Sequence, residues 1–337
     1  MILVFGSINI DLLVPVAALP RPGETVLGGD YALLPGGKGA NQALAARRAG
    51  AEVMLAGAVG EDAFADAALE LLRLDGVDLG LVRRVERPTG CAAIVVGEGG
   101  ENLIAVAPGA NREAVAAVVP DGVLGPDTIV LCQNEVPMAE SAALLRRARQ
   151  ANTRTLLNLA PAGPAAPGLL ADLDILVVNE TEAATLGADP AGLARELRQA
   201  LIATRGALGA SAFLADGSRL EVPALAIEPV DTTGAGDTFV GALAASLDQN
   251  LPLDTALRRA SAAAGLACLA AAHRPRCPTD QRSTPPSPAC RIAKPSCRVD
   301  HTSPFMAGLG PAMNVIVLAR NISWIPGPRP GMNDKRT

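Results

Sequence analysis

Short runs of leucine and β-branched residues recur along the chain, and Ala-rich segments with helical spacing follow several of them. Five such runs predict buried strands, at 2–5, 53–58, 128–132, 155–158 and 175–178. The runs are continuous, which is typical of parallel strands covered on both faces. Helical spacing follows at 42–49 and 138–151. This pattern predicts an α/β fold, a three-layer αβα sandwich around a mostly parallel central sheet.

Two stretches, 12–34 and 91–106, interrupt the alternation. In the second, the apolar runs AAIVV and LIAV flank the turn GEGGEN, which predicts a β-hairpin. Neither stretch has a helix to pair with. We therefore expect them to form a small β-strand lid that covers a site in one large domain, residues 1–269.

Composition and charge narrow the class of protein. Apolar residues make up 49% of the 337 residues and charged residues 19%, which excludes disorder over most of the chain. A formal net charge of −5 disfavours nucleic acid as a partner, because phosphate contacts need a basic surface, and favours a small molecule.

Signals for export, membranes and zinc are not evident. No apolar run approaches the roughly 18 residues of a membrane helix, and no basic residue precedes Arg21, so we interpret the apolar N-terminus as a buried strand. The six cysteines form no CxxC pair, which argues against a zinc ribbon or a thioredoxin-type site. We expect a cytoplasmic protein without a membrane partner.

The composition changes near residue 270. Residues 269–337 have a net charge of +7, whereas the preceding part has a net charge of −12. The same segment holds both histidines, the single Trp and 11 of the 27 prolines, in stretches such as STPPSPAC that cannot form regular helix. We interpret 270–337 as an aberrant tail and expect it to be largely disordered.

The first motif with chemical meaning is PGGKGANQA, residues 35–43. Its glycines, Lys38 and Asn41 open the predicted helix, so several backbone N–H groups and one ammonium converge where an anion or a polyol can bind. Lys38 is the only lysine before residue 294, which favours a compact ammonium that arginine cannot replace. The alternative is that the glycines only permit a tight turn before the helix.

The second motif is DTTGAGDTF, residues 231–239. An apolar residue at every fourth position after it places Asp237 at the N-terminus of an amphipathic helix. The amides of Gly234, Ala235 and Gly236 would then surround an anionic oxygen beside a carboxylate. That combination suits phosphoryl transfer, because the carboxylate takes a hydroxyl proton while the amides stabilise developing charge. The alternative is that Asp237 only caps the helix.

Together these motifs resemble the ribokinase family of sugar kinases. Six segments occur in the family's order and approximate spacing: GSINID at 6, LPRPGETVLG at 19, PGGKGANQA at 35, GAN at 109, NETE at 179 and DTTGAGDTF at 231. The resemblance covers about residues 1–268, and the two glycine motifs together make it specific.

The resemblance implies a sugar site. In the family, the sugar hydroxyls are held by the residues that match Asn9, Asp11, Gly37, Lys38, Asn41 and Glu135. Asp237 matches the base that activates the terminal hydroxyl of the sugar. Taken alone, Asn9 and Asp11 can equally be surface positions on one face of a strand, whereas Glu135 follows a buried strand, where ligand groups gather in open α/β sheets.

The resemblance also implies binding of ATP, Mg²⁺ and K⁺. The cofactor-binding residues by this criterion are Asn179, Glu182, Thr204, Gly206, Gly209, Gly234, Ala235 and Gly236. Asn179 and Glu182 would order Mg²⁺ and the phosphates, and K⁺ would lie near Asp231 and Thr233. The alternatives are a helix capping box for Asn179 and Glu182 and an ordinary glycine turn for the loop 204–209.

The chain departs from the family after residues 261–266. The family continues into a loop of the type TRxGAxxxxP, which closes the adenine pocket and supplies backbone ligands to the monovalent cation; here the chain reads ACLAAAHRPRCPTDQ. Back-translation of 271–279, read from the third base of Ala271, can give GAPAALPD. We therefore hypothesise a frameshift near Ala270 that leaves the K⁺ site incomplete. A metal-binding segment is the alternative, but its Cys and His spacings match no compact site.

The activity implied is ATP-dependent phosphorylation of the 5-hydroxyl of D-ribose. Two alternatives stay open: a kinase for another sugar or nucleoside, and a sugar-binding protein that has lost catalysis because its C-terminal loop is missing. The exposed edges of the lid hairpin make a homodimer through the lid the expected assembly.

Overall fold

The structure is a computed structural model that describes residues 1–163, 168–187 and 189–269. The strands are β1 (Ile2–Phe5), β2 (Asn9–Val16), β3 (Ala32–Gly36), β4 (Val53–Gly60), β5 (Asp78–Val85), β6 (Gly90–Gly97), β7 (Asn102–Ala107), β8 (Ile129–Gln133), β9 (Arg154–Asn158), β10 (Ile175–Asn179), β11 (Ala200–Thr204), β12 (Ala210–Leu214) and β13 (Arg219–Val222). The helices are α1 (Lys38–Arg48), α2 (Ala63–Leu74), α3 (Met138–Gln150), α4 (Glu180–Thr185), α5 (Pro190–Ala194), α6 (Ala235–Asp248) and α7 (Leu253–Ala267). The tail interpreted as frameshifted, 270–337, lies outside these residues.

Nine strands form the central sheet, in the order β13-β12-β11-β10-β9-β8-β1-β4-β5. Seven neighbouring strands of this sheet pair in parallel: β11, β10, β9, β8, β1, β4 and β5. The two strands at one edge, β12 and β13, pair in antiparallel fashion. The order reverses between β1 and β8, because β1 continues to β4 on one side and β8 to β9 on the other. In such sheets ligands bind at this switch point, outside the carboxyl ends of the strands.

Each face of the sheet is covered by a separate apolar cluster. On one face, Ala43 of α1, Leu243 of α6 and Leu257 of α7 pack with Val4 and Leu55. On the other face, a second cluster joins α3 and α5 to the alternate positions of the same strands. The predicted three-layer α/β fold with a mostly parallel sheet is therefore confirmed.

A second sheet of four strands, in the order β3-β2-β6-β7, stands apart from the central one. It occupies the two stretches in which the strand–helix alternation breaks, although its strands begin earlier and end later than 12–34 and 91–106. Strand β2 begins at Asn9, directly after residues 6–8, which connect it to β1. We call this four-stranded sheet the lid.

The interior of the described residues is mostly aliphatic, and none of their helices is long and apolar enough to span a membrane.

Candidate active site

Glycines bring the start of α1 against the turn after β1. A Cβ on Gly39 would lie 2.6 Å from the backbone N of Ser7, and Gly37 has a φ of 89°. A Cβ on Gly36 would lie 2.4 Å from Oδ1 of Asp11. Larger residues would therefore displace the helix or the carboxylate, so the glycines do permit a tight turn, and that turn lies beside Asp11.

Glu135 binds the backbone at the start of α1. Its Oε2 accepts hydrogen bonds from the Ser7 hydroxyl at 2.6 Å and from the Lys38 N–H at 3.0 Å. The Gly39 N–H donates to Ser7 Oγ at 3.3 Å. The predicted set of free N–H groups is therefore partly occupied: a carboxylate of the chain itself already accepts from the first turn.

Three carboxylates meet beside this turn. The pKa of Asp11 is raised from 3.8 to about 6, mainly because burial disfavours its charged form and also because Glu135 and Asp237 add negative charge. Asp11 lies on β2, so it belongs to the lid. Asn9 lies on the same strand, and β2 pairs in parallel with β6 of the lid.

Asn9 is held by a residue outside the set of predicted sugar ligands. Nδ2 of Asn111 donates to Asn9 Oδ1 at 2.7 Å, while Oδ1 of Asn111 accepts the Ile8 N–H at 2.9 Å. Both Asn side chains are buried. With its oxygen engaged, Asn9 has its amide nitrogen left to donate to a ligand. Asn111 is the last residue of the GAN motif at 109, but the sequence alone assigned no role to it. A cavity of about 330 Å³ opens beside Asn9 and Glu135.

Asp237 lies in the first turn of α6, as predicted, and Gly234 with a φ of 72° precedes the helix. The carboxylate accepts from Nδ2 of Asn41 at 3.1 Å and from Nε2 of Gln42 at 2.9 Å. Phe239 and Leu243 are buried in the core behind it. Gln42 was missed as a site residue, although it directly follows Asn41 in the first glycine motif.

Asn179 and Glu182 form a capping box at the start of α4. The Glu182 N–H donates to Asn179 Oδ1 at 2.8 Å, and the Asn179 N–H donates to Glu182 Oε2 at 2.7 Å. Burial raises the pKa of Glu182, and the nearby charge of Asp237 adds to this, whereas the Asn179 N–H and the Lys38 ammonium oppose it. The capping box is therefore present, and the charges of Lys38 and Asp237 act on the same Glu182.

A cleft of about 460 Å³ opens between the ends of β10 and β11 and the start of α6. It contains most of the predicted nucleotide-binding residues: Asn179, Thr204, Gly206, Gly209, Ala235 and Gly236. Leu225, Ile227 and Ala264 supply an apolar wall that no sequence motif marked. A polar rim with an apolar wall suits a ligand that has a charged end and a flat apolar end.

Asp231 and Thr233 lie in the turn before α6. Oδ1 of Asp231 accepts the Thr233 N–H at 2.8 Å. Burial raises the pKa of the Cys268 thiol, and the charge of Asp231 adds to this. Within the described ranges, no group of three or more His, Cys, Asp or Glu side chains is arranged to hold a metal ion.

Known proteins match this chain over most of its length. The pfkB family of carbohydrate kinases matches residues 1–279. The ribokinase of Lactococcus lactis is 36% identical over 269 residues, which cover 78% of this chain and 89% of that protein. The ribokinase of Thermotoga maritima superposes with a TM-score of 0.74 at 29% identity, covering 80% of this chain and 93% of that one. The Arabidopsis thaliana ribokinase complexed with ribose and ATP gives a TM-score of 0.72 at 30% identity, over 79% and 92%.

Proposed function

The chain belongs to the pfkB family of carbohydrate kinases, and on that premise we propose that it is an ATP-dependent ribokinase. It transfers the terminal phosphoryl group of ATP to the 5-hydroxyl of D-ribose and releases ribose 5-phosphate and ADP. The observation that carries this proposal is the position of Asp237, at a helix start that lies between the predicted sugar ligands and the cleft. Its carboxylate contacts Asn41 on the lid side, while Ala235 and Gly236 line the cleft on the other side.

We assign the lid side to the sugar. Asn9 presents an amide nitrogen, Asp11 and Glu135 present carboxylate oxygens, and Lys38 and Asn41 present donors. A polyol needs both kinds of partner, because each hydroxyl donates and accepts. Gly37 is a ligand through its backbone, as the close approach of α1 to residues 7–9 supports.

We assign the proton transfer to Asp237 and the charge stabilisation to the helix start. A carboxylate within hydrogen-bonding distance of the 5-hydroxyl takes its proton as the oxygen attacks phosphorus. The amides of Gly234, Ala235 and Gly236 stabilise the negative charge that develops on the transferred group. A Cβ on Gly236 would meet no atom within 4 Å, so this side of the helix start is open. The Ala235 N–H donates to the carbonyl oxygen of Thr232 at 3.2 Å and has to exchange that bond for a phosphate oxygen.

The cleft receives ATP. Thr204, Gly206 and Gly209 border the nucleotide, and the wall of Leu225 and Ile227 suits a purine. Mg²⁺ usually binds through one or two carboxylates together with substrate phosphates. Glu182, which is held by its capping partner Asn179, would supply such a carboxylate to a Mg²⁺–ATP complex. Bound Mg²⁺ neutralises phosphate charge. K⁺ is assigned to the turn of Asp231 and Thr233, next to the helix start.

We also propose a homodimer formed through the lid. All six residues of the edge strand β7 are exposed, among them Leu103, Ile104 and Val106. An unpaired edge with apolar side chains is a surface on which a second copy can pair. Light scattering should give twice the chain mass, and Ile104→Glu should return the protein to a monomer.

We place the enzyme in the cytoplasm, where ATP is available.

Ribose-dependent release of ADP tests the proposed activity. Asp237→Asn keeps the shape but cannot take a proton, and its single oxygen can accept from only one of Asn41 and Gln42. We therefore expect kcat to fall by about 10² to 10⁴ with ribose affinity little changed. Asp254→Asn, an exposed aspartate in the first turn of α7, is the matched control and should keep full activity. Near-wild-type turnover of Asp237→Asn would overturn the assignment of the base.

Comparing substrates separates the two remaining alternatives. Higher kcat/KM for fructose, 2-keto-3-deoxygluconate or adenosine than for ribose would assign another acceptor to the same machinery. Ribose binding by calorimetry without any release of ADP would identify a sugar-binding protein that lacks catalysis.

A further inference from the structure

The side chain of Gln42 links Asp237 to the interior of the protein. Gln42 is fully buried on α1. Its Nε2 donates to Oδ1 of Asp237 and to Oδ1 of Asn158, both at 2.9 Å. Its Oε1 accepts from Nε2 of Gln133, at the end of β8, at 2.8 Å. One amide therefore joins α6 to two neighbouring strands of the central sheet.

The chemistry of the partners sets the direction of these hydrogen bonds. An ionised carboxylate only accepts, so Gln42 turns its NH₂ group to Asp237 and its oxygen to Gln133. Gln133 must then present its own NH₂ group to Gln42. Donation runs in one direction, from Gln133 to Gln42 to Asp237, and each bond in such a chain polarises the next.

The chain of amides leaves one buried acceptor without a partner. Oε1 of Gln133 is buried and, within the described residues, makes no hydrogen bond. It lies against Gly6, where a Cβ would come within 1.9 Å of it. A buried acceptor without a partner lowers stability, so its presence calls for an explanation. Here Gln133 is oriented so that its NH₂ group donates to Gln42, which supports the Gln42–Asp237 bond, although its own oxygen is left without a donor.

Backbone packing fixes the distance between Gln42 and Asp237. Gly241 lies one helical turn after Asp237, and a Cβ there would be 2.6 Å from both the carbonyl oxygen of Gln42 and Cβ of Ala45. The absence of a side chain at 241 therefore allows α6 to lie directly on α1. Both ends of the Gln42–Asp237 bond are held by helices in contact.

We propose that Gln42, supported by Gln133, is a positioning residue for the proton acceptor: it holds Oδ1 of Asp237 and thereby leaves Oδ2 to take the proton of the sugar hydroxyl. The proposal rests on the proposed function, which makes Asp237 the base. Oδ2 is the oxygen that faces Asn41, a predicted sugar ligand, at 3.1 Å. Among the described residues, the charge of Asp237 acts on Asp11 of the lid and on Glu182 of α4, and the Lys38 ammonium of α1 also acts on Glu182.

Gln42→Met tests the donor directly, because Met keeps the length and the burial but has no N–H group. We expect kcat to fall about 10-fold, with the KM for ribose within about twofold. In an Asp237→Asn background the same substitution should lower kcat no further, since a residue that acts only through the base has nothing to act on. A role in packing alone would not produce this dependence.

Gln133→Met is the second variant. It removes the unpartnered Oε1 of Gln133 but leaves Oε1 of Gln42 without its donor, whereas Gln42→Met removes the donor to both Asn158 and Asp237, so the fold should tolerate Gln133→Met even where it does not tolerate Gln42→Met. Gln133→Met should lower kcat in the same direction by about threefold, and again have no effect in the Asp237→Asn background. Ser246→Ala on α6 is the matched control, because it also removes a buried hydrogen bond, to the carbonyl of Ala242, far from the sugar site. That variant should keep the wild-type kcat.

Three outcomes decide the matter. Loss of kcat that disappears in the Asp237→Asn background supports the positioning role. Wild-type kcat in both Met variants, or losses that multiply with that of Asp237→Asn, would overturn the positioning role and leave the proposed function standing. Full turnover of Asp237→Asn itself would overturn the base and the positioning role together.

Discussion

Asp11→Asn should stabilise the ligand-free protein while impairing its sugar site. Folding raises the pKa of Asp11 from 3.8 to about 6, because burial and the charges of Glu135 and Asp237 disfavour the carboxylate. The difference corresponds to about 3 kcal/mol between the two protonation states. Asparagine has nearly the same shape and no charge to bury.

The sign of the effect follows from proton binding. Between pH 4 and pH 6 the folded protein holds a proton on Asp11 that the unfolded chain has released, so the free energy of unfolding falls as pH rises through this window. Asparagine carries no charge at any pH, so the Asp11→Asn variant does not lose this contribution to stability as pH rises. At pH 8 the variant should therefore be more stable by about 3 kcal/mol, which corresponds to roughly 6 °C in Tm, and at pH 5 the gain should be about half as large.

Urea unfolding followed by circular dichroism at pH 5 and pH 8 measures both quantities. Asp30→Asn, an exposed aspartate between β2 and β3, is the control and should change stability at neither pH. Equal stability of Asp11→Asn and the natural chain at pH 8 would refute the electrostatic argument. A gain of the same size at both pH values would refute it as well, because only a titrating group produces the difference.

Four further predictions concern the sugar site and the tail. The KM for ribose should rise about 10-fold from pH 7 to pH 5 as Asp11 is protonated through its pKa of about 6, and initial rates for Asp11→Asn should lack this dependence; a flat KM in the natural chain would contradict it. Asn111→Leu should raise the ribose KM about 10-fold with a smaller change in kcat, because Asn9 loses the bond that orients its amide; an unchanged KM by the same kinetics argues against orientation. Lys38→Arg should raise the ribose KM while the free energy of unfolding stays within about 0.5 kcal/mol; a lower Tm at unchanged KM would favour a structural role. Replacing the chain after Ala270 with the adjacent-frame sequence beginning GAPAALP should strengthen ATP binding in calorimetry and make activity depend on K⁺; no gain in either would count against the frameshift hypothesis.

Much of the central sheet and the starts of two helices could be predicted from local patterns. A strand buried on both faces must be apolar at nearly every position, and β1, β4 and β8 therefore stand out as continuous runs. The start of α1 was predictable because its glycines occupy positions where neighbouring atoms exclude a Cβ, and the start of α6 because Gly234 has a φ of 72°, which favours glycine. Asp237 was found for the same reason, since a helix start with open amides and a carboxylate is a local feature.

The remaining properties of the site depend on contacts between distant parts of the chain. Gln42 lies 195 residues from Asp237, and Asn111 lies 102 residues from Asn9, so neither pairing has a periodicity that a sequence pattern can reveal. The strand order brings these side chains together at its switch point, and the approach of α6 to α1 at Gly241 sets their distance. The raised pKa of Asp11 has the same origin, because it requires the burial and the two neighbouring carboxylates that only the folded chain assembles. The residue types proposed to bind the sugar are thus encoded locally, whereas the orientation and charge state of those residues are decided by tertiary packing.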